Sequence, residues 1–225
     1  MTVTIYRELE QGSEEWLQAR CGLLTASTIG RLITPTLKVA DNDTSRTLTH
    51  TLAAERITGH VEYVHPTFDM QRGTDDEPYA RDAYRDNRAP VEEVGFIVRK
   101  TEDYALGYSP DGLVGTGGLI EIKSRKPHAH LALLLNGGIP HGHMAQMQTG
   151  MYVSGREWCD YIGYSAGLPL HIERVQADIA WFTAIDTAAR AFETNIADII
   201  TRYTDATNGL PQTERRAQIE DITFA

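Results

Sequence analysis

The chain has 225 residues, of which 21 are Lys or Arg, 31 are Asp or Glu and two are Cys, giving a net charge of −10. This length supports one core rather than two full-sized domains, and so few cysteines exclude a disulfide framework or a four-cysteine metal site. The acidic balance disfavours a nucleic-acid coat protein but not an enzyme that holds a divalent cation. With no apolar stretch of about 20 residues, we expect a cytoplasmic protein without a membrane partner.

The first ninety residues are predicted to be mainly helical, because apolar residues recur there at helical spacing. Ser13, followed by two acids, is typical of a helix start. The expected helices cover residues 14–20, 25–33, 45–58 and about 74–87. The buried side of the last helix is predicted to be Tyr79, Ala80, Ala83 and Tyr84.

From Glu92 onward the apolar residues alternate, which indicates strands. Extended segments are predicted at 94–98, 104–109, 118–123, 159–164 and 170–175, the last two as a hairpin, with a turn-rich stretch at 112–118. Short helices are expected over 130–136 and 142–153, and a long amphipathic helix over about 179–204. We therefore expect one domain over residues 1–225, with a mainly helical part (about 1–90), a sheet core (91–175), a C-terminal helix (178–206) and a polar tail (207–225).

The segment 118–123 carries an acid and a base on one face of its strand. Alternate side chains of a strand share a face, so Glu121 and Lys123 project together while Ile120 and Ile122 project to the opposite face. The two isoleucines are readily buried, which leaves the charged pair directed into a cleft. An exposed Glu-x-Lys pair on a surface strand is the ordinary alternative.

A second acid is expected to join this pair. Pro110 cannot donate to a sheet ladder, so Asp111 lies at a strand end, and the glycine-rich turn that follows allows the chain to return with Asp111 beside Glu121. Two adjacent carboxylates repel each other and suit a hard divalent cation, Mg²⁺ or Mn²⁺, with Lys123 acting on an attacking water. Taken alone, Pro-Asp-Gly is also a common turn sequence.

These two segments resemble the PD-(D/E)xK nuclease signature. More narrowly, the chain resembles the lambda-type phage exonuclease, or YqaJ-like viral recombinase, family over about residues 11–153. The matching segments are Gly12–Arg20 with Gly22 and Thr25–Ser27, Gly73 with Glu77 and Ala80-Arg81, Ser109–Leu113, Glu121–Lys123, and Met144–Gln148 with Met151. The resemblance implies an α/β fold with a restriction-endonuclease-like core, in which a central mixed β-sheet is flanked by helices.

The resemblance also implies roles for individual residues. The metal ligands would be Asp111, Glu121 and the carbonyl of Ile122, and the catalytic residues Asp111, Glu121, Lys123 and Glu77. The DNA and 5′-phosphate contacts would be Arg20, Ser27, Ser109 and Gln146. From the residues alone, Glu77 is nearly as well interpreted as an acid near a helix N-terminus, and Arg20 and Ser27 as ordinary helix-end residues.

One family feature has no match here. The family has a basic residue a few positions beyond its catalytic lysine; by spacing the nearest positions are His128, Ala129 and His130, while Arg125 and Lys126 lie closer, so no residue is assigned to that role. The spacing of His128, His130, His141 and His143 fits no standard zinc pattern.

The implied function is a metal-dependent 5′→3′ exonuclease that degrades one strand of linear double-stranded DNA to 5′-mononucleotides and leaves 3′ overhangs for phage-type recombination. The family likeness further implies a homotrimer, a single-strand annealing protein as partner and, for a phage-encoded chain, the host cytoplasm. Two alternatives are an endonuclease of restriction or repair type and a catalytically degenerate DNA-binding protein. The number of metal ions stays open.

Overall fold

The computed structural model describes residues 1–62 and 64–215, so the last part of the predicted polar tail, residues 216–225, lies outside the described residues. The elements in chain order are β1 (Thr2–Tyr6), α1 (Glu14–Arg20), β2 (Leu24–Thr25), α2 (Ala26–Ile29), α3 (Asp43–Thr58), α4 (Phe68–Asn87), β3 (Phe96–Lys100), β4 (Ala105–Tyr108), β5 (Gly112–Val114), β6 (Gly118–Ser124), α5 (Pro127–Asn136), α6 (His141–Ser154), β7 (Trp158–Tyr164), β8 (His171–Gln176) and α7 (Ile179–Thr207). The predicted α/β class is confirmed.

Local capping explains where the helices begin. The Ser13 hydroxyl accepts a hydrogen bond from the backbone N–H of Trp16 at 3.1 Å, so α1 begins as predicted. Helix α4 begins six residues before the predicted Thr74, because Thr67 caps it by accepting from the N–H of Met70. The predicted burial of Tyr79 is wrong: this side chain is 65% exposed, since the buried stripe of α4 runs along helical neighbours four residues apart, Ala80 and Tyr84.

The strands form two four-stranded mixed sheets, where the sequence indicated a single central sheet. The first has the order β1-β3-β4-β2 and the second the order β5-β6-β7-β8. The chain passes from one to the other between Tyr108 and Gly112, where Pro110 cannot continue a ladder. Strands β1, β2 and β5 were not predicted, because β1 is an exposed edge, β2 has two residues and β5 lies in the turn-rich stretch.

The second sheet sets the register of the charged residues. Strand β5 pairs antiparallel with β6, with Gly112 opposite Ile120, and β6 pairs parallel with β7, with Glu121 opposite Tyr161. A side chain at Gly112 would come within 2.2 Å of Val91 Cγ1, so a glycine is needed immediately after Asp111. The predicted hairpin of β7 and β8 is confirmed.

The two faces of the second sheet have different partners. On one face, Ile120 and Ile122 pack against Ala80 and Tyr84 of α4. On the other face, Leu119 of β6 belongs to the main core together with Met147 of α6. Helix α6 therefore lies close over the face that carries the charged residues. Within the described residues, no helix is long and apolar enough to cross a membrane.

Candidate active site

Asp111 meets β6 as the sequence predicts. Its side-chain Oδ2 accepts a hydrogen bond of 2.6 Å from the backbone N–H of Ile122, two residues beyond the last rung of the β5–β6 ladder. In an antiparallel pair, the N–H and C=O of one residue point toward the same neighbour. The carbonyl of Ile122 is therefore on the side of β6 that faces Asp111.

Glu121 and Lys123 project from the same face of β6 and contact each other. Lys123 Nζ lies 2.6 Å from Glu121 Oε1 and 3.3 Å from Oε1 of Gln146 on α6. Burial by itself would lower the pKa of Lys123, but the carboxylates of Glu121 and Asp111 outweigh it and raise that pKa above its ordinary value. Lys123 therefore carries a positive charge, and the structure brings Gln146 into the same cluster.

Glu77 approaches Asp111 from α4. Burial, together with repulsion by Asp111, raises the pKa of Glu77 to about 7, against the opposing effect of Arg81. Glu77 is ten positions into α4 in chain order, counting from Phe68, so the interpretation as an acid at a helix N-terminus does not hold. Arg81, one turn further on, donates to Glu77, to the backbone carbonyl of Asp111 at 2.9 Å and to Glu93.

The donor set of this cluster fits a hard divalent cation. Glu121 Oε2 is buried and has no hydrogen-bond partner, and burial raises the pKa of Asp111 and Glu121 as well as that of Glu77. A cation would remove both the orphaned oxygen and the repulsion. No three His, Cys, Asp or Glu side chains in residues 1–62 and 64–215 form a complete metal site, so the Ile122 carbonyl, water and substrate oxygens would supply the remaining ligands.

Arg20 and Ser109 form a second polar group beside the carboxylates. Ser109 Oγ accepts hydrogen bonds from Arg20 Nη1 at 3.2 Å and from Trp16 Nε1 at 3.0 Å, and the guanidinium lies 4.0 Å from the centre of the Trp16 ring. Burial lowers the pKa of Arg20 to about 10, which leaves it charged. Ser27 is exposed on α2, with its hydroxyl 3.2 Å from that of Thr25, and it has no direct hydrogen bond to Arg20 or Ser109 in the described part of the chain.

An open cleft of about 750 Å³ lies beside the candidate site. It runs between the N-terminal segment and α4, and its walls include Trp16, Glu77, Arg81 and Pro110. The cleft therefore reaches Glu77 and, at Pro110, the segment between Ser109 and Asp111.

Sequence reasoning missed two members of this arrangement. Arg81 was noted only as part of a matching segment, although its spacing of four residues from Glu77 on a helix predicts their contact. Trp16 was seen only as part of α1, and nothing in its spacing relates it to Ser109, 93 residues away.

Comparison with known proteins identifies the class to which this fold and site belong. Residues 15–157 match the model of the YqaJ-like viral recombinase domain, and the chain belongs to this family, as its motifs predict. It is 33% identical to an alkaline exonuclease from Laribacter hongkongensis, over 88% of this chain and 100% of that one, with a TM-score of 0.78. The same values hold for that protein in complex with dAMP.

A more distant likeness supports the fold alone. A phage-related exonuclease from Haemophilus somnus 129PT is 14% identical over 80% of this chain and 96% of that one, with a TM-score of 0.59. No curated protein sequence matches the chain.

Proposed function

We propose that this chain is a phage-type exonuclease that uses a divalent cation, Mg²⁺ with Mn²⁺ as a substitute, to degrade one strand of linear double-stranded DNA in the 5′→3′ direction. The observation that carries the proposal is the meeting of Asp111, Glu121 and Lys123 on β6, with a buried carboxylate oxygen of Glu121 left unpartnered. Membership of the YqaJ-like family and the likeness to an alkaline exonuclease support it.

Asp111, Glu121 and the Ile122 carbonyl would hold the cation. When bound, it supplies charge neutralisation at the scissile phosphate and a more acidic attacking water. Glu121 Oε2 is the free ligand atom, because Oε1 is engaged by Lys123. One oxygen of Asp111 is fixed by the Ile122 N–H, which sets the orientation of the other.

The remaining side chains act on the phosphate and on protons. Lys123 stays protonated, so Nζ donates to the attacking water and offsets the charge that grows on the phosphate in the transition state. Gln146 holds Nζ in place at 3.3 Å. Glu77 accepts from Arg81 at Oε1, and with a pKa of about 7 its Oε2 can hold a proton near neutral pH.

Arg20, Ser109 and Ser27 would bind the terminal 5′-phosphate. A guanidinium binds phosphate through two parallel N–H groups, and hydroxyls add further donors. Occupation of this pocket by the end of a strand would place the first phosphodiester bond over Lys123, so that the product is a 5′-mononucleotide. The crystal structure of the related alkaline exonuclease with dAMP supports a nucleoside monophosphate as the product.

The assembly and partners are proposed from the family likeness. We expect a ring-shaped homotrimer that surrounds the DNA, acting in the host cytoplasm together with a single-strand annealing protein. A closed cyclic oligomer is physically reasonable for such a chain and would keep the enzyme on its substrate between cleavage steps.

The decisive experiment is a time course with Mg²⁺ on a linear duplex labelled at either the 5′ or the 3′ end of one strand. We expect the 5′ label to appear as a mononucleotide at the earliest times, while the 3′ label stays on strands that shorten gradually. Early release of the 3′ label would contradict the proposed direction. Covalently closed plasmid is the matched substrate without ends, and nicking of it at a comparable rate would identify an endonuclease instead.

A further inference from the structure

Arg125 extends the row of charged side chains on β6. It follows Glu121 and Lys123 at the same spacing of two residues, so it starts from the same face of the strand. Its backbone N–H donates to the carbonyl of Tyr164 on β7 at 2.8 Å, which continues the β6–β7 ladder by one position. The third member of this row is therefore a second cation, two residues beyond Lys123.

Tyr161 of β7 fixes the direction of the Arg125 side chain. The guanidinium donates to the Tyr161 hydroxyl, with its centre 5.9 Å from the ring centre. His143 of α6 lies with Nδ1 3.1 Å from the same hydroxyl. Burial, with repulsion by Lys123 and Arg125, lowers the pKa of His143 to about 4, so the ring is neutral, and in the tautomer with a bare Nδ1 it accepts a hydrogen bond from the Tyr161 hydroxyl. Arg125 is thus held on the face of β6 that carries Lys123 by its hydrogen bond to Tyr161, which also contacts His143.

Arg125 lacks the acidic partner that many arginines of this chain have. Arg56 pairs with Glu193, and Arg174 pairs with Asp160. Among the described residues no carboxylate forms an ion pair with Arg125, and its Nε is buried without a hydrogen-bond partner. A buried donor without an acceptor is unfavourable, and in a chain with a net charge of −10 a guanidinium without an ion pair is a binding group for an external anion.

Arg20 and Arg125, two of the arginines that form no ion pair within the described residues, lie on opposite sides of β6. Arg20 is held by Ser109, which leads into β5, whereas Arg125 is held by Tyr161 of β7, and β6 lies between these strands. We propose that Arg125 binds a backbone phosphate of the DNA strand on the β7 side of Lys123, so that the strand is fixed on both sides of the scissile bond. This inference rests on the proposed nuclease function and adds a phosphate contact to it.

The test is the salt dependence of DNA binding by the Arg125→Ala variant. Fluorescence anisotropy with a labelled 5′-phosphorylated 20-base-pair duplex, in Ca²⁺ in place of Mg²⁺, gives Kd over a series of salt concentrations. Loss of one phosphate contact reduces the slope of log Kd against log salt by about 1, and we expect Kd to rise about tenfold. With Mg²⁺ present, KM should rise by a similar factor while kcat changes less than about twofold.

Three further variants separate phosphate binding from a structural effect. Arg88→Ala removes the same charge from an exposed position at the C-terminal cap of α4, the helix that packs on the opposite face of β6, and should leave slope and KM unchanged. Arg125→Lys should keep the slope while losing part of the affinity, because the ammonium keeps the charge but not the fork. Tyr161→Phe keeps the ring and should give an intermediate rise in Kd.

An unchanged slope and Kd in Arg125→Ala, with wild-type digestion intact, overturns the phosphate contact and leaves the nuclease function standing. A fall in kcat without a change in Kd also overturns it. Failure of the wild-type protein to bind or digest the duplex overturns the proposed function and this inference together. Should Arg125→Ala not fold, the Kd and the salt slope of Arg125→Lys and Tyr161→Phe test the phosphate contact in its place.

Discussion

The two faces of β6 are formed by alternating residues of one strand, yet their surroundings are opposite. On one face Ile120 and Ile122 are buried against α4 in a closed apolar cluster. On the other, Glu121 is equally buried but has an oxygen without a partner, and Lys123 is the only positive charge that contacts it in the described residues. One face therefore gains stability from burial, and the other bears an electrostatic cost.

This contrast indicates that the two faces of β6 have different roles. Apolar burial of the isoleucines stabilises the fold and fixes the strand rigidly. That rigidity holds Glu121 and Lys123 in an arrangement that is unfavourable in isolation, because buried carboxylates close together repel each other. Residues of the two faces should consequently respond to substitution in different ways, one in activity and the other in stability.

The largest effect is expected on the charged face. Lys123→Ala should lower kcat by about 10²–10⁴-fold, the range usual for loss of a group that assists proton transfer or charge stabilisation, while the folded state persists. The measurement is the initial rate of mononucleotide release, with circular dichroism to confirm folding. Lys100→Ala, an exposed lysine at the end of β3, serves as the control. Digestion by Lys123→Ala at the wild-type rate would remove Lys123 from the proposed mechanism.

The next effect belongs to the apolar face. Ile120 is fully buried, and Ile120→Ala should lower the free energy of unfolding by about 2–5 kcal/mol through lost burial and a residual cavity. Urea unfolding measures this loss, and kcat at a temperature well below Tm should stay within about threefold of the wild-type value. A large loss of activity in a fully folded variant would mean that the two faces are not separable.

Much of this contrast could be predicted from the sequence. The alternation of Ile120 and Ile122 with Glu121 and Lys123 is a local property of a strand, and the short return from Pro110 through the glycine-rich turn brought Asp111 to β6 as expected. Both depend on residues near each other in the chain, where geometry leaves few choices. The division of the strands into two sheets was not predictable in this way, because it depends on pairings between distant segments such as β1 and β3.

The rest of the site depends on contacts made across the fold. Arg125 meets Tyr161, 36 residues away, only because β6 and β7 are parallel neighbours in one register. The spacing of residues along the chain does not specify that register. Glu77 was placed near a helix start because Thr67, the actual cap of α4, lies beyond the predicted boundary.

A smaller effect is expected on the pH dependence of stability, which measures the electrostatic cost of the charged face. The pKa of Glu77 is raised to about 7 from 4.5, so the folded protein binds more protons than the unfolded chain between these values, and the metal-free protein loses stability as pH rises from about 4.5 to about 7. Mg²⁺ at ten times its Kd contributes about 1.4 kcal/mol, or about 3–6 °C in Tm, at pH 8. At pH 6 protons compete with the cation for Asp111 and Glu121, whose pKa values burial raises, and the shift should be markedly smaller.

Differential scanning fluorimetry with and without Mg²⁺ at the two pH values checks this expectation. Asp111→Asn should abolish the Mg²⁺-dependent shift at pH 8, since it removes one of the proposed ligands. An equal shift at both pH values, or a shift that survives Asp111→Asn, would place the cation elsewhere in the molecule.

The smallest effect is expected from substitution of Ser27, which is exposed on α2. Ser27 would contribute one hydrogen bond to a 5′-phosphate, worth about 1 kcal/mol, so Ser27→Ala should slow digestion of 5′-phosphorylated ends by about fivefold without changing Tm. Duplexes with 5′-hydroxyl ends should be digested by this variant at the wild-type rate, because they lack the group that Ser27 contacts. The matched control is Ser154→Ala, because the Ser154 hydroxyl donates within its own helix to the carbonyl of Gly150. Equal slowing on 5′-phosphorylated and 5′-hydroxyl ends would mean that Ser27 acts through the packing of α2 and not through the phosphate. The charged face would then consist only of residues held by α1, β5 and β6.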